Sequence, residues 1–148
     1  MNSRKHMDAQ PCPVARSVDV IGDYWSLLVV RDAFDGVRRF SDFQRSLGVA
    51  RNILSDRLRR LSDAGILANQ PASDGSAYHE YVLTEQGEAL FPVVVALRQW
   101  GERHLFAEGE PRSELVEKDT GKPLHFMRPR GEDGRVLSPA ETRVRKVS

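Results

Sequence analysis

Arg51, Asn52, Ser55 and Arg59 share one side of a helical stretch whose other side is apolar. These are residue types that read base edges. A guanidinium presents two parallel donors to guanine, a carboxamide presents a donor and an acceptor to adenine, and each such pair carries about 1–3 kcal/mol of discrimination. Arg38 and Arg39 stand upstream, where long cationic side chains suit backbone phosphate. Ser41 completes this DNA-facing set. With Gln44 three residues on, it forms a capping-box pattern that predicts Ser41 as a helix N-cap. A bland reading stays open beside this one. Solvated helix faces commonly carry arginines, and Asp56 and Asp63 stand within salt-bridging reach of this set. Arg57 and Arg60 flank the apolar seam and fit a structural purpose as well as a functional one.

Such side chains need elements that aim them. Phe40, Phe43 and Leu47 give a short helix its apolar side, and Gly48 breaks the pattern where the chain must turn. Leu54, Leu58 and Leu61 then recur at i, i+4 and i+7, and Gly65 supplies a C-terminal stop. Short helix, turn and longer helix with an exposed polar face make the helix-turn-helix pattern that enters a major groove. Ile66 and Leu67 open an apolar strand, Pro71 to Ser76 is a turn-forming cluster, and Tyr78, Tyr81, Val82 and Leu83 form a second β-prone run. A hairpin placed straight after the second helix is a wing. The expected fold is therefore α+β, a winged helix-turn-helix.

Further helices flank this unit. Val14, Val18 and Ile21 stripe a first helix from Pro13 to Gly22, and Trp25, Leu28, Val29 and Phe34 outline a second with Asp23 as its N-cap. Thr84 and Glu85 open a long helix through Trp100, which Pro92 should kink or delay. Its apolar arc is too wide for a lone surface helix, so the first and last helices are expected to pack on a second copy. A homodimer of this kind places two reading helices on half-sites about one helical turn apart, the arrangement of a palindromic double-stranded operator. Past Leu105 the composition changes. Asp119 to Leu124 and Glu132 to Leu137 are similar pieces with glycine at a turn, which suggests small hairpins. The expected organisation is a flexible arm over 1–11, the DNA-binding and dimerisation domain over 12–106, and a C-terminal extension over 107–148.

Composition narrows the function class. Net charge is +1, so no global excess of positive charge announces nucleic acid. The charge is uneven, with 13 basic against 15 acidic residues over 1–110 and 9 against 6 over 111–148. Local patches act within about a Debye length, roughly 8 Å at physiological salt, so near-neutrality is compatible with DNA. A single cysteine forms no intrachain disulfide, and neither a signal peptide nor a long apolar span is visible, so the chain is expected in the cytoplasm without a membrane partner. The four histidines are scattered and no phosphate loop, HExxH, G-x-S-x-G or CxxC occurs, so no metal, cofactor or catalytic grouping is expected.

Cys12 precedes Pro13 at the start of the first helix. It reads either as a small apolar residue at a helix start or interface, or as a thiol whose reactive thiolate the helix N-terminus favours, with Arg16 one turn on. Tyr24, Trp25, Phe91 and Trp100 are candidates for lining a small-molecule pocket at a dimer interface, although helically spaced aromatics are more often core.

Several pieces together resemble the HxlR family of bacterial winged helix-turn-helix regulators. They are Cys12 to Arg16, Ile21 to Leu28, Arg38 to Phe43, Leu54 to Leu58, Leu61, Ala64 to Leu67 and Tyr81 to Gly87. The resemblance implies a DNA-binding homodimer that represses or activates nearby genes, joined through the first and last helices of this region. It also implies that Cys12 is a candidate sensor of electrophiles or oxidants, with an unidentified inducer. The chain departs from the family pattern in three ways. Ala50 stands where a capping serine is usual, the wing offers Asp74 and Glu80 instead of basic residues, and the tail has no cysteine pair. The expected function is a sequence-specific transcription regulator, a homodimeric repressor. The alternative, encouraged by the acidic wing, is a winged-helix protein-interaction module that does not read DNA.

Overall fold

The three-leucine seam predicted over 54–61 is the centre of the first folded unit. The computed structural model describes residues 10–147, so of the expected 1–11 arm residues 1–9 lie outside the described residues. Five helices and one hairpin precede Phe91: α1 (Pro13–Ile21), α2 (Tyr24–Phe34), α3 (Phe40–Leu47), α4 (Arg51–Asp63), β1 (Leu67–Pro71), β2 (His79–Leu83) and α5 (Glu85–Glu88). Leu54, Leu58 and Leu61 of α4 are buried against Val29 and Val30 of α2, Phe43 of α3 and Leu67 of β1. Full burial of each such side chain contributes about 1.5–3 kcal/mol, so this seam holds the helix-turn-helix and the hairpin together.

The boundaries follow local chemistry. Asp23 caps α2 by accepting the Ser26 N–H at 3.0 Å. Gly48 ends α3 in the left-handed region. α4 ends in a Schellman arrangement, with the Ile66 N–H donating to Leu61 at 2.9 Å and the Gly65 N–H to Ser62 at 3.1 Å. Gly65 has φ +82°, which a side chain would strain. The strands pair antiparallel, Leu67 opposite Leu83 and Asn69 opposite Tyr81. The wing is therefore a two-stranded hairpin, and the mixed helix-and-hairpin architecture is the winged helix read from the sequence.

Two sequence expectations change. Ser41 is not the N-cap of α3; Arg39 is, with the Phe43 N–H donating to its carbonyl at 3.0 Å and no side-chain cap bond. The helix starts earlier because burying Phe43 carries Phe40 into the first turn. Gln44 then donates to the Val49 carbonyl at 3.4 Å instead of closing a capping box. The long helix from Thr84 is also divided. Thr84 caps only α5, accepting the Gly87 N–H at 3.0 Å, and α6 (Phe91–His104) starts anew with Pro92 in its first turn.

The second compact unit begins at Pro92. Along α6 the extension is tied down by side chains. Gln99 donates to the His125 carbonyl at 2.9 Å and accepts the Met127 N–H at 2.8 Å, Arg98 bonds the Ser113 hydroxyl at 2.9 Å, and Arg112 pairs with Glu102 at 3.1 Å. Both expected turns are present as short antiparallel bridges, Val116 with Pro123 and Arg130 with Val136. A 3-10 turn, Pro139–Glu141, follows.

Gly87 is buried against the carbonyl of Ile66. A Cβ there would overlap that oxygen and lie 3.0 Å from Leu83 Cδ2. Gly87→Ala should lower unfolding free energy by about 1–3 kcal/mol through overpacking, read by urea denaturation. Wild-type stability in that variant would show that α5 packs less closely than described.

Candidate nucleic-acid interface

With its leucines buried, α4 turns Arg51, Asn52, Ser55 and Arg59 to solvent, and all four are exposed. They are not equally available. The Arg51 guanidinium lies 4.8 Å over the Phe40 ring and makes no ion pair among the described residues. Asn52 and Ser55 likewise make no side-chain hydrogen bond there. Arg59 bonds Asp56 at 2.6 Å and lies 3.9 Å from Asp63, the pairing that the bland reading anticipated. Ala50 caps α4 with no side-chain acceptor, so the first amides of this helix have no side-chain partner there.

Arg57 has a structural post. Its Nε donates to Asp23 at 2.8 Å and its Nη1 to Asp56 at 2.7 Å, tying α4 to the N-terminus of α2. Asp23 therefore caps one helix and anchors another. Partial burial pushes the Asp23 carboxyl up, but hydrogen bonds from Ser26 and Arg57 outweigh this and leave it below the ordinary value of 3.8. Asp56 gathers Arg57, Arg59 and, at 3.7 Å, Arg60. Desolvation pushes its carboxyl up, but hydrogen bonds and charge from Arg59 and Arg57 together outweigh this and leave it below the ordinary value.

Arg38 and Arg39 meet the acidic wing. Arg38 donates to Glu80 at 3.3 Å, and its carbonyl accepts the Tyr81 N–H at 2.8 Å, which joins the segment before α3 to the free edge of β2. Glu80 is buried and also accepts the Ser73 N–H and hydroxyl at 3.1 and 3.0 Å. Those Ser73 bonds, then Arg38, hold its carboxyl below the ordinary range. Arg39 pairs with Asp74 and stacks 5.4 Å over Tyr78. The Ser76 N–H and hydroxyl, then Arg39, hold the Asp74 carboxyl down to about 2. Ser41 lies exposed in the first turn of α3 with no side-chain bond among the described residues. The wing acids thus meet arginines 35 and 42 positions upstream, a pairing that sequence reading missed. Its signal was present in the complementary charges of two segments that a winged fold brings side by side.

Cys12 is exposed at the N-cap of α1, where the Ala15 N–H donates to Sγ at 3.4 Å. Arg16 is turned to the Gln10 carbonyl. The aromatic candidates are distributed. Phe91 packs on Phe34 at 5.4 Å beside a cleft of about 460 Å³ that Arg38 and Tyr81 also line. Tyr24 and Trp25 stack edge to face at 4.7 Å and do not reach that cleft. Trp100 lies in the second unit against His104. Among the described residues no three His, Cys, Asp or Glu side chains are placed to hold a metal ion, and no helix is long and apolar enough to cross a membrane.

Comparison with known proteins agrees with this architecture. The profile of the HxlR-like helix-turn-helix family matches residues 20–108. The Mycobacterium tuberculosis HTH-type transcriptional regulator Rv3095, itself uncharacterised, is 46% identical over 99 residues, which are 66% of this chain and 63% of that protein. The chain thus spans less than two thirds of that relative's length. The crystal structure of PA1607, described as a transcription factor, is 50% identical, covers 97% of this chain and all of its own, and superposes with a TM-score of 0.91. The redox regulator HypR in its oxidised form is 33% identical over 65% of this chain and all of its own, with a TM-score of 0.58. The matched proteins are transcription regulators rather than enzymes.

The double duty of Asp23 has a pH consequence. A carboxylate whose folded pKa is depressed stabilises the fold above its ordinary value of 3.8, and that contribution disappears as pH falls through the folded value. Asp23→Asn keeps a capping acceptor but loses the charge, so it should cost about 1 kcal/mol between pH 5 and 7. Denaturation curves across pH should show the gap to wild type closing below about pH 4. A gap that is constant down to pH 2 would count against the Asp23–Arg57 pair.

Proposed function

Because the chain belongs to the HxlR-like helix-turn-helix family, we propose that it is a sequence-specific, double-stranded-DNA-binding transcription regulator that works as a homodimeric repressor in the cytoplasm. The observation that carries this reading is the uncommitted face at the start of α4, where Arg51, Asn52 and Ser55 are exposed, carry no acidic partner among the described residues, and follow the turn at Gly48. Phe40 holds the Arg51 guanidinium at the rim of that face, so the donor fork is ordered before DNA arrives. Arg59, itself exposed and paired with Asp56 and Asp63 at the surface, is recruitable at small cost, since such surface pairs contribute about 0–1 kcal/mol. Ser41 completes the contact set proposed around the same helix pair, while Arg38 and Arg39 start out engaged by the wing acids Glu80 and Asp74.

The dimer rests on apolar side chains that the single chain leaves in water. In α1, Val14 is 69% exposed and Val18 45%; in α6, Leu97 is 51% and Trp100 58%. Covering either helix with its counterpart removes that surface from water. Twofold symmetry then calls for a palindromic operator with half-sites about one turn apart. A dimer seated on such an operator represses by excluding other proteins from the duplex.

Regulation through Cys12 belongs to the same reading. The thiol is exposed at a helix N-terminus, and HypR, 33% identical, is a redox regulator. No second cysteine exists in the sequence, so any disulfide that Cys12 forms joins it to a second protomer or to a small thiol. Oxidant or quinone treatment should shift operator affinity in wild type and leave Cys12→Ser unmoved. An equal response of both proteins in a mobility-shift assay would remove Cys12 from the mechanism.

Selecting bound sequences from a random duplex pool should recover a palindrome whose binding weakens with salt. Arg51→Ala should then lose about ten- to a hundredfold on the selected duplex and much less on random DNA. Equal losses on both would make Arg51 a phosphate contact. Enrichment of no duplex at all would favour the protein-interaction module.

A further inference from the structure

No lysine or arginine occurs between Arg60 and Arg98, so the wing has no cation of its own. A guanidinium nevertheless sits at its tip. Arg39, the N-cap of α3, reaches across to pair with Asp74, with the Ser76 hydroxyl 3.5 Å away and the Tyr78 ring beneath. Its neighbour Arg38 pairs with a buried acid that Ser73 also holds, whereas Arg39 pairs with an exposed one: the Glu80 side chain is 5% exposed and that of Asp74 55%. Adjacent arginines thus have different fates. One fastens the hairpin to the helix pair, and the other is held at the surface by a carboxylate that does not need it, since Asp74 also accepts the Ser76 N–H at 3.0 Å.

We propose that Asp74 competes with DNA phosphate for the Arg39 guanidinium and thereby sets the affinity of the wing side of the interface. This rests on the DNA-reading function proposed above. A guanidinium fork matches a carboxylate and a phosphate equally well, so one ligand displaces the other without rebuilding the site. Arg39 is half-buried but its acid is open to water, and an ion pair to such an exposed carboxylate contributes little net stability, so Arg39 is released at small cost. Asp74 keeps its Ser76 N–H bond when Arg39 leaves, so the competing carboxylate stays in place beside the guanidinium. With its pKa at about 2, it stays ionised throughout the working pH range. The brake is therefore permanent.

Asp74→Asn, Arg39→Ala, their double variant and Arg51→Ala are compared with wild type on the selected duplex by fluorescence anisotropy over a salt series. Asp74→Asn should bind about three- to tenfold more tightly and steepen the log K against log salt slope by about 0.9, one more phosphate neutralised. Both gains should vanish when Arg39→Ala is added. A gain that survives Arg39→Ala overturns the proposal, because Asp74 would then act on DNA through its own charge. Unchanged binding by Asp74→Asn, with Arg51→Ala still weakened, also overturns it and leaves the DNA-reading function standing. If no variant alters duplex binding, including Arg51→Ala, the DNA-reading function falls and this proposal falls with it.

Discussion

Burial of Leu54, Leu58 and Leu61 is the constraint on which the remaining geometry depends. Three side chains at i, i+4 and i+7 fix the roll of α4 about its own axis, because any rotation would lift one of them out of the seam. The opposite azimuth is fixed with them. Arg51, Asn52, Ser55 and Arg59 face outward because the leucines face inward, and rigidity on one face is what gives precision on the other. Arg57 adds an axial lock by bonding Asp23, so α4 can neither roll nor slide along α2.

That packing then distributes the charges. Of the arginines in the helix pair, Arg57 is committed to Asp23 and Asp56, Arg38 to Glu80 and Arg39 to Asp74. Arg59 and Arg60 share Asp56. Arg45 pairs with Asp42, and among the described residues of the helix pair Arg51 alone is held by an aromatic ring instead of a carboxylate. The distinction has energetic content. A ring orients a guanidinium without neutralising it, so Arg51 keeps its full charge for a ligand, whereas the others must first exchange an acid.

The helices, their order and the hairpin were legible in the sequence because each rests on local signals. Apolar residues at helical spacing marked α2 and α4, Gly48 and Gly65 marked stops, and the Pro71 to Ser76 cluster marked the wing turn. The start of α3 was not legible. Ser41 offers a better capping side chain than Arg39, but the burial of Phe43 and the pairing of Arg39 with the wing decide the boundary, and both are tertiary. The site was legible by residue type and not by availability. Reading the sequence alone puts Arg38, Arg39, Arg51 and Arg59 in one class, and only the fold reveals which carboxylate each one meets. Asp74 and Glu80 read as features that weaken a wing, when in the structure they are partners of arginines far upstream.

This economy of free charge bears on how such a protein would discriminate. Non-specific affinity for DNA comes almost wholly from phosphate neutralisation, and base-edge contacts add the specific part. On the DNA-reading function proposed above, a helix pair whose arginines are mostly answered by carboxylates offers a random duplex few free charges. The exposed face of α4 nevertheless presents an oriented Arg51 guanidinium and the Asn52 carboxamide. Reducing the first term while keeping the second raises the ratio of specific to non-specific binding without any added base contact. That ratio, and not affinity alone, decides occupancy when one operator competes with a genome of other sites. The acids around the helix pair, which look like an obstacle to a DNA-binding reading, are therefore compatible with a selective one.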